Sequence, residues 1–163
     1  VKKSYDEVLK VMELMNLEKR IPVYDGAPKE IANMETPIDS EGARFIIDEA
    51  MREDERPLFI VCQGGLTDLA CAILIKPDIC TRMTAIWIGG GPFPEGGAEF
   101  NLKQDIHAAN VVFGSDMPLW VVPQNAYTMI RTSLTELQVK VYPYGNIGHY
   151  LFEQMVELNS SLG

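Results

Sequence analysis

Three consecutive residues, Glu99, Phe100 and Asn101, set a carboxylate, an aromatic face and an amide side by side. That combination can hold vicinal hydroxyls by hydrogen bonds against an apolar wall, the chemistry of sugar recognition. Glu and Asn near a helix start also serve as solvated or capping residues, so their position in the fold has to decide between the two roles. Thr67 and Asp68 begin another helix, where a cap and a dipole-friendly charge explain them. His107 lies inside a helix and His149 near the start of another. Neither has a Cys, a His or a carboxylate pair at metal-ligand spacing, so both read as surface or core histidines. No Ser, His and Asp set marks a nucleophilic triad.

Glycine loops narrow the chemistry further. The stretch from Gly89 to Gly97 holds five of the 13 glycines. It is not the G-x-G-x-x-G fingerprint of dinucleotide binding, and no G-K-[ST] follows it, so neither a Rossmann cofactor nor a P-loop phosphate is expected. Lys and Arg number 14 against 23 Asp and Glu, a net charge of -9. Such an acidic chain would repel nucleic acid and anionic membrane surfaces. No segment approaches the ~18 consecutive apolar residues of a membrane span, and no secretory signal opens the chain. Cys62, Cys71 and Cys80 are odd in number and lack CxxC spacing, so they read as structural thiols of a reducing cytoplasm.

These residues need a scaffold, and 163 residues with 47% hydrophobic content are enough for a single domain. Ser4 and Glu7 have capping-box spacing ahead of Val8, Val11, Met12 and Met15, which predicts an amphipathic helix up to Leu17 with methionines as core filler. A short strand is expected at Ile21 to Tyr24, then a loop from Asp25 to Pro37. Asp39 or Ser40 can cap a helix carrying Ala43, Ile46, Ile47 and Ala50. Leu58 to Cys62, Ala85 to Ile88 and Leu119 to Val122 are apolar without alternation, as strands of a parallel sheet covered on both faces are. Helices over Leu66 to Leu74 and, behind Asp105, over Ile106 to Phe113 separate them. Ser133 and Glu136 offer a second capping box, and Ile147 to Leu158 closes the chain as a helix. The expected fold is one α/β domain over residues 1–163, with a mostly parallel, doubly wound, Rossmann-like sheet and helices on both faces. In such sheets ligands bind beyond the carboxyl ends of the strands. The loops there are Asp25-Gly26-Ala27, Gln63-Gly64-Gly65, Gly89 to Gly97, and Gln124-Asn125.

The series Gln63-Gly64-Gly65-Leu66-Thr67-Asp68-Leu69-Ala70, Ile86-Trp87-Ile88-Gly89-Gly90-Gly91, Ala98-Glu99-Phe100-Asn101, and Asp105 with Ala108-Ala109 and Val112-Phe113 resembles the inosine-uridine preferring nucleoside hydrolase family. The likeness extends to Ile21-Pro22-Val23-Tyr24, Val121-Val122-Pro123 and Gly145-Asn146-Ile147-Gly148, and so covers nearly the whole chain. The resemblance implies hydrolysis of the N-glycosidic bond of a ribonucleoside to free base and ribose. It implies a calcium-activated water, an oxocarbenium-like transition state, a cytoplasmic location and a homodimer or homotetramer. Carried over by position, Thr67 offers its backbone carbonyl to calcium, Glu99 and Asn101 bind ribose hydroxyls, and Phe100 walls the sugar. Ile88 stands where the family usually has Met, and Asn125 belongs to a stretch, Gln124 to Tyr127, that replaces the family's L-D-V-T.

The family's D-x-D-x-x-x-D-D loop does not occur here, so no residue of the chain is expected to be the water-activating Asp. Together with a first residue that is not Met, this leads to the expectation that the chain is the central portion of a longer hydrolase and is inactive alone. The other expectation, from a different class, is a non-catalytic protein that binds ribose or a nucleoside.

Overall fold

A computed structural model describes residues 2–162. The chain forms two compact units, one spanning Tyr24–Met129 and the other joining Lys3–Val23 to the chain from Ile130 onward.

The first unit holds the sheet. Strands β1 (Leu58–Cys62), β2 (Met83–Ile88) and β3 (Leu119–Val122) are parallel and lie in the order β1-β2-β3. β1 pairs with β2 from Leu58↔Met83 to Cys62↔Trp87, and β2 with β3 from Ala85↔Leu119 to Ile88↔Val122. Helix α2 (Glu41–Met51) precedes β1, α3 (Thr67–Ile75) crosses from β1 to β2, and α4 (Phe100–Gln104) and α5 (Ile106–Phe113) cross from β2 to β3. The core lies where α2, α3 and α5 meet the sheet. There Ala70, Cys71, Ala72 and Ala108 are 0% exposed and Ala109 is 4% exposed. Small side chains at these positions let α3 and α5 pack closely while Leu69, Ile79, Trp87 and Val112 fill the remaining volume.

Two expectations need correction here. Ile21 to Tyr24 is not a strand: Arg20 and Ile21 donate their amides back to the Leu17 carbonyl, Pro22 has no amide to give, and Tyr24 instead stacks on Phe45 at 4.4 Å. β1 is not covered on both sides, since Phe59 is 45% and Val61 56% exposed; Phe59 meets Trp120 of β3 across β2 at 5.7 Å. By contrast Ser40 caps α2 through the Ala43 amide, and Asp105 caps α5 through the Ala108 amide, as their types and spacing required.

The second unit contains α1 (Lys2–Leu14), α7 (Leu134–Lys140) and α8 (Gly145–Leu162). Already helical at Lys2, α1 has Ser4 inside it and not at its cap. Ser133 caps α7 by accepting from the Glu136 amide, but Glu136 turns its carboxylate to Thr132 and Lys140, so only half of the capping box forms. The Tyr150 hydroxyl ties α8 to Glu7 of α1 at 2.8 Å. Met12 is buried as core filler, whereas Met15 and Met155 are 48% and 50% exposed. Among the described residues no helix is long and apolar enough to cross a membrane. Cys62, Cys71 and Cys80 are free thiols, and burial raises the pKa of all three, that of Cys62 to about 11.

Candidate functional site

Beyond the carboxyl end of β2 the chain turns through Gly89, Gly90 and Gly91 and returns at Glu99. The return is tight: a Cβ on Gly91 would lie 2.5 Å from the Gly96 backbone, so only glycine fits there. Glu99 caps α4, accepting from the Leu102 amide at 3.0 Å and from the Gly90 amide at 2.9 Å, both through Oε2. Oε1 accepts from the Tyr127 hydroxyl at 3.0 Å; Tyr127 ends a one-turn helix, α6 (Gln124–Tyr127), that follows β3. Glu99 is only 4% exposed. Burial works to raise its pKa, but the amides of Leu102, Asn101 and Gly90 and the Tyr127 hydroxyl outweigh it, and the carboxyl titrates below its ordinary value. It is therefore an ionised, nearly water-free carboxylate.

The other sequence candidates sort around it. Asn101 donates to the Ile88 carbonyl at 2.8 Å, which fixes its amide at the end of β2. Phe100 is 76% exposed, its ring uncovered by the first unit's core. Ile88, Glu99 and Asn101 are thus brought to one corner. Asn125 is drawn to the loop tip instead, where its amide both donates to and accepts from the Phe93 backbone at 2.9 and 3.1 Å. Beneath the same loop a largely apolar cavity of about 790 Å³ is lined by Trp87, Phe93, Leu102, Phe113, Val121 and Asn125. Ile88, Glu99, Phe100 and Asn101 do not line it.

Thr67 sits in a different arrangement. Its hydroxyl donates to Asp105 Oδ2 at 2.8 Å, and the same oxygen takes the Ile31 amide at 2.9 Å while Oδ1 takes the Ala108 amide at 2.9 Å. Asp105, 1% exposed, is a junction of three segments. Asp68 makes a second one: its Oδ1 accepts from the Ala27 amide at 2.8 Å and from the Ser40 hydroxyl at 2.5 Å. Gly26 is pressed so closely on Asp68 that a Cβ there would lie 2.5 Å from Oδ2. Asp68 therefore binds other segments where a cap of its own helix was expected.

Calcium takes 6–8 oxygen ligands, mostly carboxylate and carbonyl. Among the described residues no three His, Cys, Asp or Glu side chains gather as such a set. Asp105 and Asp68 are the acidic side chains nearest Thr67 in its hydrogen-bond network and its sequence; Asp105 gives both oxygens, and Asp68 its Oδ1, to amides and hydroxyls. The described side chains around Thr67, whose backbone carbonyl is the expected ligand, do not by themselves complete such a set.

Sequence reasoning missed the tie from Tyr127 to Glu99 and the joining role of Asp68. The one available signal for Tyr127 was its place four residues past Pro123, at the same sheet edge as Glu99.

A parallel α/β sheet with a buried ionised carboxylate, an anchored amide and glycine turns at the carboxyl ends of its strands is the layout of a small-molecule site in open α/β proteins. More narrowly, the chain belongs to the inosine-uridine preferring nucleoside hydrolase family, which matches residues 1–161. It is 33% identical over 103 residues to the inosine-uridine preferring nucleoside hydrolase of Crithidia fasciculata, covering 61% of this chain and 30% of that protein. It is 31% identical over 129 residues to the pyrimidine-specific ribonucleoside hydrolase RihB of Escherichia coli O1:K1 / APEC, covering 63% and 41%. Among solved structures, an inosine-guanosine nucleoside hydrolase superposes with a TM-score of 0.76 at 17% identity, over 100% of this chain and 62% of that one, a likeness of fold. The chain spans less than half the length of these curated relatives.

Proposed function

We propose that the full-length protein hydrolyses the N-glycosidic bond of a ribonucleoside, and that this chain supplies the sugar-facing wall of the site. Family membership supports the reaction class, and the geometry of Glu99 carries the assignment of the wall. As the bond to the base lengthens, the bonding pair leaves with the base and positive charge grows on the ribose ring. Water adds its oxygen to the anomeric carbon, and its proton balances the departing base. A carboxylate held ionised by fixed donors in a dry corner stabilises that growing charge without having to reorganise. Glu99 takes this role, and Asn101 beside it offers an amide to a ribose hydroxyl. The exposed ring of Phe100 gives the sugar an apolar wall, and Ile88 sets the floor at the end of β2. Asn125 acts one step back, holding the loop over Phe93. The ion implied by the resemblance is not assigned to these residues, and neither is the water-activating base.

The test is ribose release by the full-length gene product, followed by a reducing-sugar assay with inosine and uridine, with and without added calcium. Release from either nucleoside is expected. Absence of release from every common nucleoside would contradict hydrolysis, and binding of a nucleoside without release would assign the protein to the non-catalytic class.

A further inference from the structure

We infer that Tyr127 is a positioning residue for Glu99, an assignment that rests on Glu99 facing the sugar as proposed above. The two oxygens of Glu99 are held in different ways. Oε2 is fixed by the backbone amides of Gly90 and Leu102, donors that belong to no side chain. Oε1 is held by the phenol of Tyr127, 28 residues away, delivered from beyond β3. Tyr127 is the one side chain among the donors to Glu99, and its bond helps set the direction of Oε1 and with it the geometry offered to a ligand hydroxyl.

A plainer role, a clamp that docks α6 against the loop, is already filled by other contacts. The Gln124 amide donates to the Gly90 carbonyl at 3.1 Å, and Asn125 grips the Phe93 backbone on both sides. With α6 docked in three places, the Tyr127 hydroxyl is spare for docking and its effect falls on the carboxylate. Phenol donation also favours the ionised form of Glu99, and burial together with the same bond raises the pKa of Tyr127, so the proton stays on the tyrosine.

The experiment compares the full-length protein with Tyr127→Phe, Glu99→Gln and the double variant. Two readouts are used: the pH profile of nucleoside hydrolysis, and the titration of the Glu99 carboxyl by carbon-13 NMR, assigned from the signal lost in Glu99→Gln. Tyr127→Phe is expected to move the acid limb of kcat/KM and the Glu99 titration together to higher pH, because one donor to the ionised carboxylate is lost. The double variant should be no slower than Glu99→Gln alone. A Tyr127→Phe enzyme slowed by the same factor at every pH, with the Glu99 titration unmoved, would overturn the assignment while leaving hydrolysis standing. If the unsubstituted protein releases no ribose, the hydrolase reading falls, and the carboxyl titration alone decides whether Tyr127 holds Glu99.

Discussion

Two corners of the first unit use the same chemistry to different ends. At the amino ends of α3 and α5, Asp68 and Asp105 accept from the amides and hydroxyls of distant segments, and Asp105 is 1% exposed. Beyond β2, Glu99 also accepts from backbone amides, but beside it Phe100 is 76% exposed and the Phe93 loop is held at the surface by Asn125. Asp105 takes donors from three segments and Asp68 from two, and both tie the chain together. Glu99 also has donors from three segments, the Gly90 turn, α4 and Tyr127, but it lies next to an uncovered ring and an anchored amide. Burial and charge alone do not separate the two; what lies next to the carboxylate does.

The comparison breaks most visibly at the joint. Asp105→Ala strands the Ile31 and Ala108 amides and the Thr67 hydroxyl, and should cost about 3–5 kcal/mol of unfolding free energy in urea. A loss below about 1 kcal/mol would show that water replaces Asp105 and that the corner is not joinery.

A smaller effect is expected at the open corner as pH falls. The folded pKa of Glu99 lies below its ordinary value of 4.5, so the stability it contributes is complete above pH 4.5 and is lost as pH falls through the lower folded value. Urea unfolding of Glu99→Gln should therefore show a weaker acid dependence than the unsubstituted protein below that pH. Equal slopes would mean that the donors around Glu99 do not favour its ionised form.

Asn125→Ala removes two bonds to an exposed loop, at about 0.5–1.5 kcal/mol each when intact, and should speed amide exchange of Phe93 while leaving that of Leu102 unchanged. Smallest of all, Arg56→Ala breaks an exposed pair with Asp54 and should leave the urea midpoint unchanged, as expected for surface ion pairs in solvent.

The sheet was legible because its strands are short apolar runs, Leu58–Cys62 and Leu119–Val122 among them, with a helix cap at Ser40 before the first and another at Asp105 between the second and third. Local pattern also misled. Ile21 to Tyr24 has the composition of a strand, yet a strand needs a partner, and Pro22 and the turn back to Leu17 leave none. Of the site, the sequence exposed Glu99 and Asn101 through their place after a glycine loop, but not what each would touch. Tyr127 reaches Glu99 from 28 residues away and Asp105 reaches Ile31 from 74, and no periodicity of helix or strand encodes contacts at those separations. The same holds for Thr67, whose partner turned out to be Asp105.

If Glu99 faces a sugar, nucleoside affinity must depend on it. Calorimetric titration of the full-length protein with a ribonucleoside tests it directly, comparing the unsubstituted protein with Glu99→Ala and, to keep the fold of the turn, Glu99→Gln. Glu99→Ala should weaken binding by about 1–3 kcal/mol, the scale of a charge-assisted hydrogen bond, with Glu99→Gln weakened in the same direction. Unchanged affinity in both variants would contradict it and make Glu99 a third structural joint beside Asp68 and Asp105.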